Sequence, residues 1–190
     1  AIFPDEAFIL FECNFVAAAG STIIDGLRTV ASSNKILAKG CVGISNTSVN
    51  GQMYWNGNTT ATVISSANTF VKAAGVSTAS ADNAKYTHSN NRLTNDAVRE
   101  RKYMIMATCS FSTGNNQVVE FGFFDSKLNA IRTPSRTKAT AEGSGRGENV
   151  TLQCIVDHSQ GDYIEIHVAN TTSASNIVVS ELNVTITQIG

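Results

Sequence analysis

The sequence predicts an all-β fold, an antiparallel sandwich or barrel, on three observations. Beyond residue 58 apolar and polar residues alternate at period two in run after run, Gly, Asn and Asp turn signals recur about every 8 to 12 residues, and helix signals are scarce. A closed or two-sheet arrangement also removes the open edges that Thr- and Val-rich strands would otherwise expose.

Taken in order, the elements begin with AIFPDEAFILFECNF, which holds Phe3, Phe8, Phe11 and Phe15, four of the nine Phe in the chain. Two readings fit this stretch: a first strand docked on the domain's own core, or an arm that buries its aromatics against another subunit. In TIIDGLRTVASS, Ile23, Leu27 and Val30 lie at helical spacing and Thr22 with Asp25 suits a capping box. Gly26 and the β-branched residues fit a strand or loop equally well. TTATVISS and NTFVKAAG read as short, polar strands at an edge, and YTHSNNRLTN as a loop-like polar stretch.

RKYMIMATCSFS then places Tyr103, Ile105, Ala107, Cys109 and Phe111 inward, and TGNN turns the chain. QVVEFGFFDS continues with Val119, Phe121 and Phe123 on one face; Val118 and Phe124 are apolar too, so both faces are expected to be covered. AIRTPSRTKATAEGSGRGE reads as a polar loop. Beyond it, Val150, Leu152, Cys154 and Val156 alternate inward, SQGD turns, and Ile164, Ile166 and Val168 return, a pattern that predicts a β-hairpin. NIVVSELNVTITQIG gives a last strand with Leu182, Val184 and Ile186 on its core side.

Composition narrows the function classes. A chain of 190 residues, net charge −1 and pI about 6.3, carries no Lys/Arg run able to neutralise a file of phosphates, so nucleic acid is not an expected partner. No window approaches the ~18 apolar residues of a membrane span, and the opening residues lack the basic start of a signal peptide. Neither membrane nor leader is expected. With 18 Asn and 39 Ser or Thr, chance yields roughly four N-x-S/T acceptors, so the five found, at Asn46, Asn58, Asn149, Asn170 and Asn183, carry no message. Cys13, Cys41, Cys109 and Cys154 form no C-x-x-C pair and have no His at ligand spacing; buried thiols in a reducing cytoplasm are expected, and no metal.

A search for catalytic chemistry gives no site. Asp157, His158 and Ser159 are adjacent, and adjacent side chains diverge where a relay needs three to converge, so this is read as a polar turn. His167 shares an outward face with Tyr163 and Glu165, a polar face suited to solvent or to a neighbouring subunit. His88 has no evident partner. AEGSGRGENV lacks the Lys-Ser/Thr and helix of a phosphate loop, and DSKLN and DHSQGD lack the carboxylates of a calcium loop. No cofactor is expected.

The succession NTTATVISSANTFVKAAG, KYTHSNNRLTN, RKYMIMATCSFSTGNNQVVEFGFF, RGENVTLQCIVDHSQGDYIEIHVANTT and NIVVSELNVTITQIG resembles virion proteins of tailed bacteriophages. Those proteins carry a jelly roll similar to the tumour-necrosis-factor and complement-type heads. The resemblance covers residues 53–190 and leaves 1–52 as an N-terminal arm or small subdomain. It implies a homotrimeric, non-enzymatic structural protein, assembled in the host cytoplasm and carried on the capsid exterior. There it acts as a decoration (cement) protein bound to the major capsid protein, or as a fibre tip that reads a host receptor or surface glycan. On this reading Phe3, Phe8, Phe11 and Phe15 face the capsid or another subunit, and Tyr163, Glu165 and His167 form an outward subunit contact. The chain lacks a collagen-like or heptad stalk, which favours the compact decoration form.

Overall fold

The computed structural model describes residues 8–11, 36–39, 49–97, 100–142 and 148–189. The chain divides into two compact units, residues 1–47 and 48–190. In the first, β1 (Phe8–Phe11) and β2 (Ile36–Lys39) pair in parallel, Phe8 opposite Ile36 and Phe11 opposite Lys39. TIIDGLRTVASS lies outside the described residues.

The second unit is an antiparallel jelly-roll sandwich. Its strands are β3 (Asn50–Trp55), β4 (Ala61–Thr62), β5 (Val71–Lys72), β6 (Thr78–Ala79), β7 (Tyr86–Ser89), β8 (Arg92–Asn95) and β9 (Arg101–Ser112). There follow β10 (Gln117–Asp125), β11 (Ala130–Ile131), β12 (Thr137–Ala141), β13 (Glu148–His158), β14 (Tyr163–Asn170) and β15 (Ile177–Gln188). One sheet runs β13-β9-β15-β3-β6, with β4 on the start of β15. The other runs β11-β10-β14-β8-β7, with β12 also on β10 and β5 on β14.

Period-two alternation builds the core as expected. Tyr103, Ile105, Ala107, Cys109 and Phe111 of β9, Val150, Leu152, Cys154 and Val156 of β13 and Leu182, Val184 and Ile186 of β15 are buried from one sheet. From the other come Val119, Phe121 and Phe123 of β10 and Ile164, Ile166 and Val168 of β14. Phe111 meets Phe121 across the sandwich with ring centres 5.1 Å apart. Fully burying an apolar side chain of this size contributes about 1.5–3 kcal/mol, so these inward sets hold the two sheets together. A bulge between Val179 and Glu181 leaves the Val179 carbonyl to accept from the Trp55 indole N–H at 3.0 Å and from Asn58 Nδ2 at 2.9 Å.

Three expectations need correction. β13 and β14 do not form a hairpin: β13 pairs with β9, and β14 with β10, β5 and β8, so SQGD carries the chain from one sheet to the other. Both strands have a buried face in either arrangement, and alternation alone cannot separate a hairpin from a corner between sheets. YTHSNNRLTN is not a loop but the β7–β8 hairpin, with Asn90 and Asn91 at φ 47° and 55°. Two positive φ values define the turn that suits a tight hairpin, and Asn is a residue that tolerates them. Within the supposed polar loop, residues 137–141 form β12 along β10, Lys138 opposite Glu120.

Candidate functional site

The four Phe of the leading segment are only partly within view. Phe8 and Phe11 lie on β1, while Phe3 and Phe15 lie outside the described residues.

On the solvent side of the six-stranded sheet, the outward positions of β9, β13 and β3 present Met104, Met106, Ile155 and Tyr54, exposed by 39, 44, 56 and 36%. Ile155 sits directly opposite Met104. Around them the face is mostly uncharged: Gln52, Thr108, Thr151, Gln153, Asn183 and Thr185 share its outward parity. Toward one end is a shallow concavity of about 390 Å³ whose lining includes Asn56, Thr108, Ser110, Asn149 and Glu181. Glu181 Oε1 accepts from the Gly57 amide at 2.9 Å, and Ser110 Oγ donates to Asn149 Oδ1 at 2.6 Å.

The outer face of the seven-stranded sheet is different in kind. Tyr163, Glu165 and His167 do share this face, but Glu165 is not solvated there: β5 and β8 bring Lys72 and Arg92 over it. Glu165 Oε1 lies 2.7 Å from Lys72 Nζ and 3.0 Å from Arg92 Nη2, and Oε2 lies 3.1 Å from His167 Nε2. Burial works against the Glu165 charge, yet the hydrogen bonds from His167 and Lys72 and the Lys72 and Arg92 charges outweigh it and hold the carboxyl down at about 2. Phe124 stacks on His167 with ring centres 4.9 Å apart, and Arg92 lies 4.1 Å over the Tyr163 ring. One strand further on, Arg136 Nε donates to Glu120 at 2.6 Å and its guanidinium covers Phe70. Gly122, between the two groups, is covered by Ile131.

His158 is not part of a polar surface turn. It is fully buried between the sheets, its Nε2 3.3 Å from Asp125 Oδ1 and its Nδ1 3.4 Å from the Tyr86 hydroxyl. Asp125, also fully buried, accepts from Arg132 Nε at 2.7 Å and from the Lys127 amide at 2.9 Å. Burial pushes the Asp125 carboxyl up, but the His158 and Arg132 hydrogen bonds more than offset it and leave it below the usual carboxylate range. The neighbours in sequence point elsewhere: Ser159 donates to Glu100, and Asp157, opposite Lys102, has the outward parity. Parity carried the signal, because His158 continues the inward series 150, 152, 154, 156 and Asp125 continues 119, 121, 123. The Tyr-His-Asp series is sealed from solvent and joins β7, β10 and β13 as a polar clamp.

One further position differs from expectation. His88 has a partner, Ser77 Oγ at 2.6 Å from Nε2. Cys109 and Cys154 are free and buried, as expected, and burial pushes their thiols up to about 12 and about 11. Asn58 and Asn170 both donate their side-chain amides to carbonyls of the fold, Asn58 to Ala74 and Asn170 to Ser175. Among the described residues no group of three or more His, Cys, Asp or Glu could hold a metal ion.

Comparison with known proteins places the architecture. No protein-family model matches the sequence, and no curated protein matches it. Solved structures do match in fold. The Eiger TNF of S. frugiperda superposes with a TM-score of 0.54 at 9% identity, over 76% of this chain and 94% of that one. Murine APRIL superposes with a TM-score of 0.52 at 7% identity, over 74% of this chain and 99% of that one. The second unit is therefore a jelly roll of the tumour-necrosis-factor type, and identity this low speaks to the fold alone.

Proposed function

We propose that this chain is a trimeric decoration (cement) protein on the head of a tailed bacteriophage, bound to the major capsid protein and carried on the capsid exterior. The observation that supports it most is the solvent face of the six-stranded sheet. Met104, Met106 and Ile155 form an apolar group, with Tyr54 on the same face two strands away and the charges of Lys102, Asp157 and Glu181 toward the ends, which suits burial against copies of the same chain around an axis. The resemblance in strand order to jelly-roll virion proteins supplies the setting. The leading segment with Phe3, Phe8, Phe11 and Phe15 supplies an apolar contact for the shell, and binding across capsomer joints would stabilise the head by mass action.

The test is the mass of the purified protein in solution, followed by co-sedimentation with expanded empty heads. Three times the 20.2 kDa chain mass is expected, with M104E/M106E lowering it to one chain. Deleting residues 1–15 should abolish head binding. A monomeric wild type would refute the assembly, and unchanged occupancy after the deletion would refute the anchor.

A second reading, a fibre tip that binds a host-surface glycan, draws on the concavity beside Asn56, Ser110, Asn149 and Glu181, where amide, hydroxyl and carboxylate groups converge. Binding on a glycan array that is lost in N149A would favour it over the head.

A further inference from the structure

We infer that the outer face of the seven-stranded sheet docks an acidic polypeptide segment, with Arg92 and Arg136 taking its carboxylates. The inference does not depend on the decoration reading.

Two carboxylates, Glu120 and Glu165, lie under this face with side chains only 7% exposed, while the cations above them grow steadily more accessible: Lys72 25%, Arg92 31%, Arg136 43% and Lys138 59%. Four cations over two carboxylates leave this one face positive in a chain of net charge −1. An approaching partner meets the cations first.

Both guanidinium groups are held in place before any ligand arrives. Arg92 is fixed by Glu165 beneath and the Tyr163 ring alongside, and Arg136 by Glu120 and the Phe70 ring. A planar fork with donors to spare matches a carboxylate, and fixing it in advance removes part of the ordering cost of binding. Lys72 lies beside β14, and Lys138 beside β10 on the far side, so three inter-strand steps separate the two cation pairs, roughly 14 Å at 4.8 Å per step. An extended segment covers that distance in about four residues. The edges of Phe124, Tyr163 and Phe70 lie among the cations and suit apolar side chains of such a segment. Nucleic acid fits less well, because a near-neutral chain with four cations here falls short of the roughly 6–10 phosphate contacts that drive such binding.

The test uses the full chain and a fluorescent peptide with two Glu pairs separated by four neutral residues, titrated by anisotropy at low salt. The same peptide with Gln for Glu and a single-stranded oligonucleotide are the comparisons. Saturable binding of the Glu peptide alone is expected, weakened about tenfold or more by Arg136→Gln and by Lys138→Glu. Lys138 is exposed and 4.0 Å from Glu120, so its variant keeps the fold, checked by far-UV circular dichroism, and still removes the contact. Equal binding of the Gln peptide, preference for the oligonucleotide, or no effect of Lys138→Glu would each overturn the inference.

Discussion

Glu165 makes the stability of the jelly roll depend on pH in a way that can be isolated. In the unfolded chain its carboxyl titrates near 4.5; in the fold it is held at about 2. The folded value is the lower one, so the charged form stabilises the fold fully above pH 4.5, and the contribution is lost as pH falls from there toward 2. At about 1.4 kcal/mol per tenfold difference in proton affinity, the gap amounts to about 3 kcal/mol. Its side chain is only 7% exposed, so solvent screening removes little of this. The assay is urea unfolding of wild type and Glu165→Gln, followed by Trp55 fluorescence from about pH 7 down to about pH 2.5. Wild type should exceed the variant at neutral pH, and the difference should shrink by about 2.5 kcal/mol by about pH 2.5, where the folded carboxyl is still partly charged. Asp125 and the other carboxylates titrate in both proteins and cancel. A difference that stays constant with pH would show that the Lys72, Arg92 and His167 contacts do not favour the Glu165 charge.

Three further outcomes are expected. Asp125→Ala leaves Arg132, His158 and the Lys127 amide without their buried acceptor and should cost about 3–5 kcal/mol by urea unfolding, with a much smaller loss for the exposed control Asp82→Ala. Gly122→Ala puts a methyl group 2.5 Å from Ile131 Cγ2, and overpacking of that kind should cost about 1–3 kcal/mol, read as a lower urea midpoint at unchanged slope. Cys109 and Cys154 should resist iodoacetamide in the native protein near pH 8 and be labelled only in denaturant, as read from the masses of their peptides.

Period two made the inward sets of β9, β10, β13, β14 and β15 legible in the sequence, because one face of each strand must be apolar whatever its partners are. Sheet membership was not legible, since SQGD serves equally well to reverse a hairpin or to turn a corner between layers. The Asn90-Asn91 pair carried a hairpin signal, but the flanking YTHS and RLTN are too polar to stand out as strands. Burial of Glu165 was hidden for another reason. Its parity is outward, and what covers it comes from a two-residue strand and a four-residue strand more than seventy positions away. Long-range cover of that sort leaves no local pattern. The clamp of His158 with Asp125 was legible in part: both continue an inward series, and a His and an Asp on inward parity in neighbouring runs are partners for each other.

The place of β15 between β9 and β3 bears on how the molecule is made. Residues 177–188 fill the gap between strands that leave the ribosome long before them, so the six-stranded layer stays split until β15 itself has emerged. Until then the nascent chain shows two raw flanks, β9 and β3, each able to template a mismatched neighbour. Shelter by a chaperone over that interval should therefore raise the soluble yield.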